Sequence, residues 1–184
     1  MRVESLAGAM VLTPRVFEDD RGCFWESYNQ ERFAETVGRE VLFIQDNHSV
    51  SRRRVLRGLH YQSGLPQGKL IWVSFGTVFD VTVDLRPGSP TFGHWAGMEL
   101  SADNRRQLWA PEGLAHGFLT LSERAVVNYK VNAPYAPDRE RTLLWNDPTV
   151  GVAWPLAPGD EPVISAKDRL GLPWDQVEKT ILLT

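Results

Sequence analysis

A chain of 184 residues suits one domain, or one domain with appendages, and can bury a substantial core. Its net charge of −3 argues against a general nucleic-acid binder but leaves room for a local basic pocket, and its ordinary apolar and charged fractions do not indicate disorder. The single cysteine, Cys23, excludes an internal disulfide and a cysteine-based zinc cluster and fits a reducing compartment.

The start, MRVESLAGAM, does not read as a signal peptide. Residues 9–17 (AMVLTPRVF) predict an edge strand broken at Pro14, because proline cannot donate to a ladder. Glu18 to Gly22 form a polar turn, and Cys23 to Tyr28 resume extended structure. Cys23 carries no cue for reactivity and reads as structural. A short helix follows over Asn29 to Val37. Asn29 suits its N-cap, Gly38 the position after its end, and Tyr28 can staple against Phe33.

From Val41 the chain is nearly all strand-like. Val41 to Asn47 leads into a Ser/Arg-rich loop at 49–54. The stretch from Val55 to Lys69 follows, with Val55, Leu56, Leu59 and Tyr61 reading as strand, and Leu70 to Phe75 reads as a strand covered on both faces. Thr77 to Leu85 alternates, with Phe79, Val81, Val83 and Leu85 on one face and Asp80, Thr82 and Asp84 on the other. A solvated sheet face accounts for those two carboxylates as well as paired catalytic acids would. Further strands fall at 92–100, 107–110, 116–121 and 125–131. Residues 134–162 are rich in proline and hold Trp145 and Trp154, so they predict an ordered but irregular region. Ser165 to Leu170 suit a helical turn. The apolar end (Ile181, Leu182, Leu183) is expected to dock on the body or on a partner subunit. No repeat, linker or low-complexity segment stands out. Many short strands at turn-punctuated spacing argue for an all-β sandwich or barrel. No segment approaches the roughly 18 consecutive apolar residues of a membrane span, and a soluble cytoplasmic protein is expected.

The stretch VLRGLHYQSGLPQGK (55–69) is the densest in polar chemistry. Read as a hairpin, it places His60 and Lys69 close together on adjacent strands. Two readings stay open: a hairpin with a wet face, or a base beside an ammonium for removing a proton next to a carbonyl. Elsewhere, exclusions narrow the choice. His48, His60, His94 and His116 show no H-x-H or H-x-x-x-H spacing, which speaks against a bound metal. There is no G-x-S-x-G and no glycine-rich phosphate loop. Acid–base chemistry by His, Lys, Tyr and Asp remains.

Eight blocks in order carry a resemblance: VFEDDRGCFWESYNQ from Val16, QDNHS at 45–49, LRGLHYQ at 56–62, QGKL at 67–70, FDVTVDLRPGSPTFG at 79–93, LAHGFLTLS at 114–122, NYK at 128–130 and SAKDR at 165–169. Together they closely resemble the dTDP-4-dehydrorhamnose 3,5-epimerase family over nearly the whole chain. The resemblance implies a single domain with a cupin-type jelly roll (a double-stranded β-helix) and short peripheral helices. Its core would span about 40–135, with the terminal segments packed on it. It also implies a homodimer without metal or cofactor, and a dTDP-linked 4-keto-6-deoxyhexose substrate. Bottom-up chemistry agrees: a C4 ketone acidifies the flanking C–H bonds, so no cofactor is needed as an electron sink. Inversion needs a base on one face, a proton donor on the other and a stabiliser for the enolate oxygen.

Carried over by motif, His60 is implied as the base, Asp168 as its orienting partner, Lys69 as the enolate stabiliser and Tyr129 as the opposite-face donor. Without the resemblance, Tyr129 reads as a core aromatic and Asp168 as a helix N-terminal or surface carboxylate. The implied substrate-binding positions are Arg21, Glu26, Gln45, Asn47, Arg57, His116, Glu140 and Lys167, with Tyr135 stacking on the nucleotide base. Arginines suit a diphosphate through their planar fork. Relatives of specialised deoxysugar pathways invert only one carbon, which is the nearest alternative. A non-catalytic sugar- or nucleotide-binding cupin is the second, and a metal-dependent cupin oxygenase, against which the histidine spacing speaks, is the third.

Overall fold

The computed structural model describes residues 2–6 and 8–182, with side chains over 8–178. In chain order it contains β1 (Arg2–Leu6), β2 (Ala9–Thr13), β3 (Val16–Asp19), β4 (Gly22–Trp25), α1 (Gln30–Val37), β5 (Gln45–Arg52), β6 (Val55–Gln62), β7 (Lys69–Phe75) and β8 (Thr77–Asp84). There follow β9 (Trp95–Ser101), β10 (Gln107–Ala110), β11 (Leu114–Thr120), β12 (Arg124–Val131), β13 (Glu140–Thr142), β14 (Val163–Ile164), α2 (Ala166–Arg169) and α3 (Trp174–Leu182). The first sheet runs β1-β2-β10-β7-β12-β5, and the second runs β13-β6-β11-β8-β9 with β14 added on β6. The two sheets face each other as a jelly roll with short helices outside it. β3 and β4 form a separate hairpin.

Three apolar layers follow from this arrangement. Ile71, Val73, Val78, Leu108, Leu114, Phe118 and Val127 fill the space between the sheets. The outer face of the first sheet is covered by α1, whose Phe33 packs edge-on against Trp109 with ring centroids 5.3 Å apart. Asn29 caps this helix by accepting from the Arg32 N–H at 3.1 Å, and Gly38 ends it in the left-handed conformation at φ 75°. Tyr28 meets Phe33 at 5.8 Å, as the staple requires. The outer face of the second sheet is covered by the proline-rich segment and α3, through Leu143, Val150, Trp154, Trp174 and Val177. Trp154 stands edge-on to Phe79 at 6.1 Å, which is where that tryptophan goes.

Several expectations are corrected. The strand at 9–13 is not an edge, because β1 and β10 pair with it on both sides. Residues 49–52 are not loop: β5 continues to Arg52, and all eight of its residues pair with β12. β6 and β7 are not hairpin partners, since they lie in opposite sheets. Cys23 is exposed on β4 rather than structural in a core. Docking of the apolar end (Ile181, Leu182, Leu183) lies outside the residues whose side chains are described. No described helix is long and apolar enough to cross a membrane.

The largest correction concerns β8. Asp80, Thr82 and Asp84 are buried rather than wet, because this face of β8 looks into the jelly roll. Asp84 accepts from the Arg86 backbone N–H at 2.9 Å, Arg86 Nη2 at 2.7 Å, and the Ser89 and Thr91 hydroxyls at 2.6 Å each. Burial pushes the Asp84 carboxyl up, but the bonds from Arg86, Ser89 and Thr91 outweigh it and hold it far below the usual carboxylate range. Its stabilisation is therefore complete above the unfolded-state pKa and is lost as pH falls below it. Asp84→Asn is expected to cost about 3 kcal/mol, since it leaves Arg86 without its charge partner. Denaturant midpoints measured from pH 7 down to 3 check this: the variant should start lower and show a shallower acid loss than the parent.

Candidate active site

β6 is the strand on which the polar groups converge. Its glycine, Gly58, adopts φ 110°, and a Cβ there would meet the His116 carbonyl oxygen at 2.6 Å. Gly117 on β11 is equally crowded, since its Cβ would meet the Arg57 carbonyl oxygen at 2.5 Å. The two glycines let β6 and β11 approach closely at an irregularity in their register. Beyond it, His60 stands opposite His116. Register partners continue the row to Thr142 on β13 and Thr82 on β8. Four polar side chains thus cross the inner face of the second sheet. On the facing sheet, Asn47, Tyr129 and Ile71 form a matching row across β5, β12 and β7. Packed sheets stand about 10 Å apart, so the row with His60 and the row with Tyr129 line the two inner faces of that space.

His60 Nε2 lies 2.6 Å from Asp168 Oδ1. That contact assigns the tautomer: Nε2–H donates to the carboxylate and Nδ1 keeps its lone pair. Asp168 is delivered from far along the chain. β14 adds to β6 in parallel, Val163 beside Val55, and Ser165 then caps α2 by accepting from the Asp168 N–H at 3.0 Å. The Asp168 carboxylate also accepts from the Gly58 N–H at 3.3 Å. Burial raises this carboxyl, but the bonds from His60 and Gly58 overcome it and leave it below the ordinary value. Of the two readings open without the resemblance, the helix N-terminal carboxylate holds and the surface one does not: Asp168 lies in the first turn of α2 and is buried.

Lys69 is also buried, and it crosses between the sheets to donate from Nζ to the His60 carbonyl oxygen at 3.2 Å. The proximity expected from a hairpin is therefore real, although its cause is the facing of two sheets. Burial lowers the Lys69 amine to about 8, while the Glu140 and Asp80 carboxylates partly hold it up. His116 Nε2 lies 3.0 Å from each carboxylate oxygen of the fully buried Asp80. Asp80 has a place in the site that sequence reasoning missed. The alternation along β8 is legible, but periodicity defines a face and says nothing of what covers it. Burial raises the Tyr129 phenol and Glu140 adds to that, against the nearby Arg57 guanidinium, so the hydroxyl stays protonated at neutral pH.

The rim is built from shorter pieces. Arg57 Nε donates to Ser51 Oγ at 3.0 Å, bridging from β6 towards β5. Gln45 Nε2 donates to Asn47 Oδ1 at 2.7 Å on the same face of β5. Glu140, at the start of β13, accepts from the Tyr135 hydroxyl at 2.6 Å and pairs with Lys167 of α2. Burial raises the Glu140 carboxyl, and these two partners bring it below the ordinary value. Its charge is felt by Lys69, Tyr129 and Tyr135 alike. The Tyr135 ring itself is 53% exposed and free to take a flat partner.

Arg21 and Glu26 are not brought to this cluster. Arg21 sits on the β3–β4 hairpin, bound to Asp19, and Glu26 accepts from Arg32 Nη1 at 2.9 Å. Their segment leans on the β9–β10 side of the molecule, where Arg105 lies over Trp25 at 5.4 Å and Gln107 donates to the Ser27 carbonyl at 2.6 Å. Among the described residues, neither makes a hydrogen bond or ion pair with another residue of the cluster. No three His, Cys, Asp or Glu among the described residues are grouped to hold a metal.

Residues 4–176 match the family model for dTDP-4-dehydrorhamnose 3,5-epimerase. The chain belongs to that family. It is a carbohydrate epimerase with a cupin-type jelly roll. The chain is 55% identical over 167 residues to a dTDP-4-dehydrorhamnose 3,5-epimerase of Pseudomonas aeruginosa, covering 91% of each. It is 53% identical over 173 residues to the enzyme of the same description from Salmonella typhimurium, covering 94% of this chain and 93% of that one. Among solved structures, a dTDP-6-deoxy-D-glucose-3,5-epimerase from Legionella pneumophila in complex with dTDP-4-keto-L-rhamnose superposes with a TM-score of 0.89. The two are 43% identical, over 95% of this chain and 92% of that one.

The burial of Lys69 gives a direct test. Its amine should titrate near 8, against about 10.4 for a free lysine, when its Cε resonance is followed by NMR. Glu140→Gln removes a charge that holds the ammonium up, so the midpoint should fall further. A midpoint at the free-lysine value would show the amine to be hydrated.

Proposed function

We propose that the cleft between the two sheets binds dTDP-4-dehydro-6-deoxy-D-glucose and epimerises it at C3 and C5. The product is dTDP-4-dehydro-L-rhamnose, on the route to dTDP-L-rhamnose. The observation that carries this reading is the His60–Asp168 pair on one sheet opposite Tyr129 on the other, within a member of this family. His60 Nδ1 takes the proton from the carbon beside the C4 ketone. The bond's electron pair moves towards the C4 oxygen, forming an enolate. Asp168 stabilises the imidazolium and keeps the ring aimed. Lys69 supplies the charge near the enolate oxygen, and it does so from a buried position where electrostatic attraction is strong. Tyr129 gives its proton to the opposite face, which inverts the carbon. Solvent resets both groups before the second carbon reacts, so solvent hydrogen enters at each inverted centre.

Asp80 orients His116, which lies beside His60 and binds the sugar. Arg57 and Lys167 meet the diphosphate, Gln45 and Asn47 bind along β5, and Tyr135 stacks on the base with Glu140 holding its hydroxyl. In heavy water, deuterium should appear at both C3 and C5; label at a single carbon would support a mono-epimerase instead. His60→Ala should lower exchange at both carbons by about 10³-fold or more while dTDP affinity changes little. Tyr129→Phe should slow inversion without abolishing loss of the substrate proton. A His60→Ala enzyme with normal exchange would remove His60 from the mechanism.

The working unit is a homodimer in this reading. β5 is an eight-residue edge strand, and Val50 and Phe75 stay 44% and 58% exposed beyond the reach of α1. Arg21 and Glu26 join a site through the second protomer, because their own segment leans on the far side of the first sheet. Light scattering should give twice the chain mass. Mixing His60→Ala with Arg21→Ala chains should restore activity, since each mixed dimer regains one intact site. A monomer, or no rescue on mixing, would overturn the shared arrangement.

A further inference from the structure

We infer that Gln62 is a positioning residue that locks the Tyr135 platform to the strand carrying His60. The inference rests on reading Tyr135 as the surface that stacks on the nucleotide base.

Gln62 lies two residues beyond His60 on the same face of β6, about 7 Å along the strand. Its side chain is buried, at 7% exposure. All of its amide is used. Nε2 donates to the Leu65 carbonyl at 2.9 Å and to the Pro134 carbonyl at 3.2 Å. Oε1 accepts from the Ala136 N–H at 2.8 Å. Residues 134 and 136 are the immediate neighbours of Tyr135, so one amide grips the backbone on both sides of that ring. The register adds a second grip. Glu140 stands directly opposite Gln62 in the β6–β13 ladder, and Glu140 accepts from the Tyr135 hydroxyl at 2.6 Å. The ring is held at its backbone by Gln62 and at its hydroxyl by the residue across from Gln62.

This arrangement has a consequence for binding. An exposed tyrosine on a proline-flanked loop would otherwise lose conformational freedom when a ligand stacks on it. Here that ordering is done in advance. The same strand fixes the spacing between the platform and His60, and hence where the sugar falls once the base has docked.

Only an amide satisfies the site. Two carbonyl oxygens need two N–H donors, and one N–H needs an acceptor on the same small group. Gln62→Glu keeps the volume and the acceptor but sets a carboxylate oxygen against the Leu65 and Pro134 carbonyls. Gln62→Met keeps the length and removes all three bonds without adding charge. Both are measured by calorimetric titration with dTDP, in the parent and in a Tyr135→Ala background, with thermal melting as the check on folding.

The expected result is a dTDP Kd raised about tenfold by either substitution, with little further loss when Tyr135 is already alanine. Such non-additivity is what a residue acting through Tyr135 must give, and a general loss of stability would not produce it. Full additivity, or no effect of either substitution while Tyr135→Ala weakens binding, overturns the inference and leaves the stacking role intact. If Tyr135→Ala itself binds dTDP normally, the stacking role falls and the inference falls with it. Gln62→Met decides the matter if Gln62→Glu does not fold.

Discussion

The hydrogen bond between His60 and Asp168 is the contact on which the site depends. It joins residues 108 apart in sequence and holds a charged carboxylate in a buried position. A buried carboxylate costs free energy unless donors surround it, and His60 and the Gly58 N–H supply them. Placing it requires the whole C-terminal return. The proline-rich segment must cover the outer face of the second sheet, β14 must add to β6, and Ser165 must start α2 one turn before Asp168. The covering layer and the site are therefore one construction.

In the proposed mechanism the two-sheet architecture supplies the stereochemistry. Inverting a carbon needs groups on its two faces, and no single sheet face can offer that. In this fold the row containing His60 belongs to one sheet and the row containing Tyr129 to the other. Lys69 completes the arrangement by spanning the gap to the His60 carbonyl. Its burial lowers its own basicity, and Glu140 and Asp80 offset part of that loss. Glu140 has the widest influence, since its charge acts on Lys69, Tyr129 and Tyr135 while Lys167 neutralises it at the rim. The interior is thus polar along one strip and apolar on either side. Val78, Leu114 and Phe118 share their face of the second sheet with Asp80 and His116.

Local signals in the sequence held at α1, β8 and α2, whereas α3 over Trp174–Leu182 has no counterpart among the predicted elements. Asn29 and Gly38 bracket α1 because capping needs only neighbouring backbone groups. The alternation from Thr77 to Leu85 is a strand, and the helical turn at 165–170 begins at its serine cap. The motif blocks were enough to identify the family and its chemistry. Errors arose where partners lie far apart. The stretch at 55–69 has every mark of a hairpin, yet β6 and β7 diverge into different sheets, because pairing is chosen by the whole set of strands. The strand at 9–13 looked like an edge because nothing local reveals β1 and β10 on its two sides.

By itself the sequence determined the family, the all-β class, the ends of α1, the serine cap of α2 and the kinds of groups available for proton transfer. Those depend on residue identity, short-range hydrogen bonding and pattern period, all of which are written along the chain. Only the tertiary structure decided that Asp80, Asp84 and Asp168 are buried, and that Lys69 reaches the His60 carbonyl across the interior rather than along a hairpin. It also separated Arg21 and Glu26 from the cluster and revealed Gln62 as the tie between His60's strand and Tyr135. Burial and long-range contact are properties of which surfaces meet. A two-residue period tells which way a side chain points, but not whether water or another sheet is there to meet it.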